Sequence, residues 1–192
     1  MPLPSTPQSR TYIRSHAVQA FLDWLTPRWH VPDRLTHCVV DRRSGKERHF
    51  ASLLDACQRY EWKGRDLSQT REILGPLSQR LRHAVAEGNE SATAEACKAV
   101  LRWGGVSPRN DTWVEDHRPG LASGLRRDRD RLIAARDLDQ LARFNSGFSK
   151  IYSMLMDGLI IYDSRVGAAL GDLVIRYAES KGLAQVPSEL CF

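Results

Sequence analysis

Lysine is scarce in this chain, five residues against 23 arginines, so the position of each one carries information. Lys150 stands thirteen positions before Asp163, and an amine near a carboxylate is a pairing that nucleophilic chemistry uses. A lysine attacks an electron-poor carbon once desolvation or neighbouring cations have removed its proton. A carboxylate held ionised at a helix N-terminus stabilises positive charge developing beside it. Each residue also has a plainer reading. Lys150 is equally a solvated helix residue, and Asp163 is equally an N-cap that satisfies backbone amides.

The elements that would position the two lie in FNSGFSKIYSMLMDGLIIYDSRVGAALGDLV, Phe144 to Val174. Phe148, Ile151, Tyr152 and Leu155 recur at spacings of three and four, which predicts a helix with Lys150 near its start. Asp157-Gly158 breaks it, and Leu159-Ile160-Ile161 reads as extended. Asp163 then caps a second helix whose Val166, Ala169, Leu170, Leu173, Val174 and Tyr177 form an inner stripe, ended by Gly182. For both stripes to share a core the turn must fold back, which places Lys150 and Asp163 in one cleft, within about 10 Å of each other.

This helix, turn and helix resembles the helix-hairpin-helix DNA glycosylase superfamily, most nearly its 8-oxoguanine glycosylase-like branch with its small bacterial members. Gly147 stands in the hairpin, Lys150 falls where the family's lysine falls, and Ile161-Tyr162-Asp163-Ser164-Arg165-Val166 matches the aspartate segment. The resemblance implies a mainly helical glycosylase-like fold and excision of an oxidised or modified base from DNA, with AP lyase activity. Lys150 would attack the sugar's anomeric carbon to form a Schiff base, and Asp163 would stabilise the sugar cation. It also implies a role in bacterial antiphage defence as one open setting. The hairpin offers Asn145-Ser146-Gly147-Phe148 rather than a full Gly-x-Gly pattern. A non-catalytic binding module of the same fold, for nucleic acid or a partner protein, therefore stands beside the enzyme reading.

Other residues extend this expectation. Gly147 and Ser149 are candidates for gripping a phosphate at the hairpin. Arg126, Arg127 and Arg131, in a basic amphipathic helix from Leu121 to Ala135, could track a phosphate backbone and are expected to flank the cleft; a solvated face of alternating charge is the competing reading. Arg165 could bind a phosphate or orient Asp163. Trp103, Trp113 and Phe144 are candidates for stacking on an extruded base, though aromatic residues usually serve the core.

The remaining chain sets the frame. Its 192 residues are 42% hydrophobic and 27% charged, with a net charge of +5, a globular composition whose basic balance suits a polyanion such as DNA. No apolar run approaches the ~18 residues of a membrane span, and no secretory signal follows the basic residues of MPLPSTPQSRTYIR, so a cytoplasmic protein without membrane association is expected. Cys38, Cys57, Cys97 and Cys191 are too dispersed for a compact ligand set, and no HxxxH or HExxH spacing exists, so no metal or other cofactor is expected. Cys57 and Cys97 read as buried thiols. Residues 1–14 read as a flexible arm and 15–192 as a single helical domain. A small hairpin from Thr36 to Arg48 is expected, then helices carrying Leu53 to Cys57, Ile73 to Val85, and Ser91 to Trp103. SPRNDTWVEDHRPG reads as a loop, and Leu138 to Phe144 as a short helix.

Overall fold

The computed structural model describes residues 15–40, 44–134 and 138–191; the arm expected at 1–14 lies outside them. The protein is mainly helical with one small antiparallel hairpin, and no described helix is long and apolar enough to cross a membrane. Where one helical domain was expected over 15–192, the chain divides into two compact units. One spans Ile73–Asp172. The other comprises the described residues as far as Glu72 together with Leu173–Cys191.

The unit holding the chain's N-terminal described residues begins with α1 (His16–Leu25), whose N-cap Ser15 accepts from the Val18 amide. Strands β1 (His37–Val40) and β2 (Glu47–Phe50) pair antiparallel, His37 opposite Phe50 and Val40 opposite Glu47. Helix α2 (Leu53–Gln58) follows, capped by Ser52. The core gathers Phe21, Trp24, Leu25, Leu35, Leu173, Val174, Tyr177 and Leu190. Tyr177 meets the rings of both Phe21 and Trp24 edge-on at 5.6 and 5.7 Å, the geometry that aromatic quadrupoles favour.

The other unit is a helical cluster. It uses the later turns of α3 (Leu67–Glu87), then α4 (Glu90–Gly104), α5 (Ser107–Asp116), α6 (Leu121–Ala134), α7 (Ser146–Leu155) and the first turns of α8 (Ser164–Ser180). Helix α4 is central, packing on α5, α6 and α7. Its Ala94, Cys97, Val100 and Leu101 join Leu81, Val85, Val114, Leu125, Phe148, Ile151 and Tyr152 in the core. Gly105, at φ 69°, ends α4 in the left-handed conformation that glycine adopts without strain.

Three expectations fail here for identifiable reasons. SPRNDTWVEDHRPG is largely the helix α5, with Pro108 in its first turn. Its sequence hides this because the buried inner face is only Val114 and the polar Asn110, too few apolar positions for a periodicity. Conversely, Leu138 to Phe144 supplies only a 3-10 turn at Leu138–Gln140. Cys57 is exposed rather than buried, because α2 ends one residue after it; Cys97 is buried as expected.

Candidate functional site

Helix α7 is buried on nearly every side, and its start is anchored by side-chain amides. Asn145 caps it, accepting from the Gly147 and Phe148 amides at 2.9 and 3.0 Å. The Asn145 Nδ2 donates in turn to Asn110 Oδ1 at 3.0 Å, which also receives Arg143 Nε at 3.2 Å. Asn110 itself donates to the Val106 carbonyl at 2.7 Å. This chain of amides ties α7 to α5, so the residue that follows by one turn, Lys150, starts from a fixed backbone.

Lys150 is 4% exposed. Its stem crosses Gly104 so closely that a Cβ there would lie 2.6 Å from Lys150 Cδ. The ammonium donates to the Ser146 carbonyl at 2.7 Å and reaches Asp163 Oδ2 at 3.5 Å. Asp163 uses its other oxygen for the helix: Oδ1 accepts from the Arg165 and Val166 amides at 3.0 and 3.3 Å. The cap and the charge partner, alternatives when read from sequence, are thus the two oxygens of one carboxylate. Partial burial works to raise the Asp163 pKa, but the Val166 and Arg165 amides and the Lys150 ammonium outweigh it, and the carboxyl sits below its ordinary range.

Against Asp163 lies a cleft of about 290 Å³ lined by Phe144, Asn145, Ser146, Tyr162, Ser164, Gly167 and Ala168. Lys150 sits behind its lining, in contact with Ser146 and Asp163. The loop that brings Asp163 here is held by Ser149, whose hydroxyl donates to the Tyr162 carbonyl at 2.6 Å. An arrangement of this kind can hold a negative charge against a developing cation at the cleft floor, with an amine one hydrogen bond away.

The remaining candidates divide. Phe144 is 57% exposed and on the lip of this cleft. Arg165 is exposed on the first turn of α8. Trp103 packs against the core, and Trp113 is engaged by other rings, stacked on His117 at 4.0 Å and edge-on to Phe148 at 4.9 Å. Gly147 and Ser149 are buried with their polar groups satisfied inside the protein. The space at Gly147 is needed for packing, since a Cβ would meet Asn110 Nδ2 at 2.5 Å and Leu101 at 3.0 Å; neither residue offers a surface to a phosphate.

The basic helix does not line the Asp163 cleft. Arg127 borders a different cavity, of about 230 Å³, with Trp113, His117 and Phe148. Arg126 lies near Gly88. Arg131 is held by Asp128 and by the Gln140 carbonyl, the latter at 2.7 Å. The expected flanking arrangement is therefore not found among the residues that line that cleft. Asp128 points inward, fully buried, and accepts from the Tyr152 hydroxyl at 2.8 Å and the Ala142 amide at 3.1 Å. An aspartate among five arginines looks like surface charge in a sequence, and its partners Tyr152 and Ala142 show otherwise.

Among the described residues, the one group of three potential metal ligands is Cys38, Glu47 and His49, on the hairpin. No protein-family model, curated protein or solved structure matches this chain.

Proposed function

We propose that the protein is a DNA N-glycosylase with associated lyase chemistry, acting at the cleft beside Asp163. The observation that carries this reading is the Lys150 ammonium held 3.5 Å from a carboxylate that also caps a helix. A deoxyribose lying in the cleft would lose its base as the N-glycosidic bond breaks, with the cation at C1′ facing the Asp163 charge. Lys150, leaving the Ser146 carbonyl and passing a proton to the departing base, forms the Nζ–C1′ bond; the C1′–O4′ bond then breaks as O4′ takes a proton from that nitrogen, which leaves the Schiff base. Phe144 at the lip offers a ring face for an unstacked base, and the net charge of +5 favours a polyanion.

A second reading has its own support. Lys150 is buried and both its contacts are within the protein, as for a structural ion pair in a non-catalytic nucleic-acid-binding protein. Borohydride reduction in the presence of duplex DNA containing an oxidised guanine separates the two. The enzyme gives a covalent protein–DNA adduct that disappears in Lys150→Gln. Salt-sensitive binding without any adduct selects the second reading.

A further inference from the structure

The hairpin brings Cys38 to Glu47 and His49, which lie nine and eleven residues further along the chain. Cys38 and His49 are cross-strand partners, and Glu47, two residues before His49, projects from the same face. Cys38 Sγ lies 3.8 Å from His49 Nε2, and His49 Nε2 lies 3.1 Å from Glu47 Oε2. All three ligand atoms fall within 4.8 Å of one another. Around a tetrahedral zinc ion, bond lengths of about 2.3 Å to sulfur and about 2.0–2.2 Å to nitrogen and oxygen make the S···N edge about 3.6 Å and the N···O edge about 3.4 Å. The two separations differ from those edges by no more than about 0.3 Å, and with Cys38 Sγ within 4.8 Å of the Glu47 ligand atom a modest side-chain rotation closes the set.

We propose that Cys38, Glu47 and His49 form a zinc site whose fourth position is open to water or another small ligand. A thiolate with an imidazole suits zinc and does not suit magnesium or calcium, which take oxygen donors. On binding, the Zn–S bond replaces the Cys38 S–H bond and the proton passes to solvent, with no change of oxidation state. The backbone at the ligand is already braced: Arg59 donates to the His49 carbonyl at 2.8 Å and pairs with Asp55 at 3.2 Å. Cys38 and His49 also line a cavity of about 380 Å³ with Thr36 and Phe50, which gives room for a ligand on the metal. Because the donors come from both strands, the ion cross-links the hairpin. This site is independent of the Lys150–Asp163 reading.

The test uses the full, tag-free chain under a non-chelating reductant. Zn²⁺ is titrated in competition with a chromogenic chelator, and Co²⁺ is added separately to read the thiolate-to-cobalt charge-transfer band. The proposal expects about one zinc per chain and a cobalt spectrum with that band. Cys38→Ser and His49→Ala should each weaken zinc by more than the ~10–100-fold typical of losing an outer-shell partner, and Glu47→Gln should weaken it measurably. Cys57→Ser and Cys191→Ser should bind as the wild type does. Circular dichroism of each variant checks that the helices persist. Absence of stoichiometric uptake by the wild type overturns the proposal, as does uptake that survives Cys38→Ser.

Discussion

Gly104 and Lys150 share one space: the last residue of α4 has no side chain where the lysine stem crosses it, and an added Cβ would lie 2.6 Å from Cδ and 3.0 Å from Cε. Glycine inside a helix normally costs about 0.5–1 kcal/mol relative to alanine, so its presence here reflects the lysine. Gly104→Ala should destabilise the protein by roughly 1–3 kcal/mol through overpacking and should reduce any borohydride adduct by displacing Nζ. In a Lys150→Ala background the same change should become neutral or stabilising. A double-mutant cycle of urea midpoints measures the coupling; additive effects would show that the two residues do not compete for the space.

Asp163→Asn separates the cap from the charge. Asparagine caps a helix as well as aspartate, so Oδ1 can still accept from the Arg165 and Val166 amides and the loss of thermal stability near neutral pH should be limited to that of the missing charge beside Lys150. Base release should slow by about 10²-fold or more, because the charge facing the sugar is gone. Single-turnover kinetics on an oxidised-guanine duplex reads this.

The pH dependence follows from the same carboxyl. The Asp163 pKa is lowered on folding from its ordinary 3.8, so the unfolded state binds the proton more readily. Its contribution to stability is complete above that ordinary value and is lost as pH falls through the folded one. Wild type minus Asp163→Asn stability should therefore be constant from neutral pH down to about 5 and shrink below about 4. Denaturant titrations across that range give the curve, and a difference independent of pH would contradict the lowered value.

Tyr152 and Asp128 form the buried polar link of this unit. The Tyr152 hydroxyl meets Asp128 at 2.8 Å and the Arg143 carbonyl at 2.9 Å, and burial with the adjacent carboxylate pushes the phenol well above its usual range. Tyr152→Phe should cost roughly 1–3 kcal/mol, since it leaves a buried carboxylate short of a donor. In an alkaline absorbance titration of the wild type, Tyr152 should remain protonated well past pH 10, where a free phenol ionises.

Cysteine reactivity should follow burial. Desolvation pushes the Cys97 thiol up to about 12, whereas Cys38, Cys57 and Cys191 are exposed. A chromogenic disulfide reagent should titrate those three in the native protein under metal-free conditions and Cys97 only after unfolding. Rapid native modification of Cys97 would mean that α4 opens readily.

Local signals were legible in the residues themselves. Three-and-four spacing marked α7 and α8, Asp163 marked the start of α8, and Gly182 marked its end, because caps and periodicity depend on neighbours within a turn or two. The Lys150–Asp163 approach was also legible, since a short turn between two helices with inner stripes leaves the chain few ways to fold. What only the tertiary structure decided are contacts between residues far apart in sequence. Gly104 lies under Lys150, Asn110 anchors Asn145, and Asp128 turns inward to Tyr152; no local pattern encodes which distant group fills a space or satisfies a polar atom. The same holds for Cys38 and His49, which have no recognisable ligand spacing along the chain and meet because strand register sets them opposite each other. It holds again for α5, whose helicity rests on the two buried residues Asn110 and Val114 and on the helices packed around them rather than on an apolar stripe of its own.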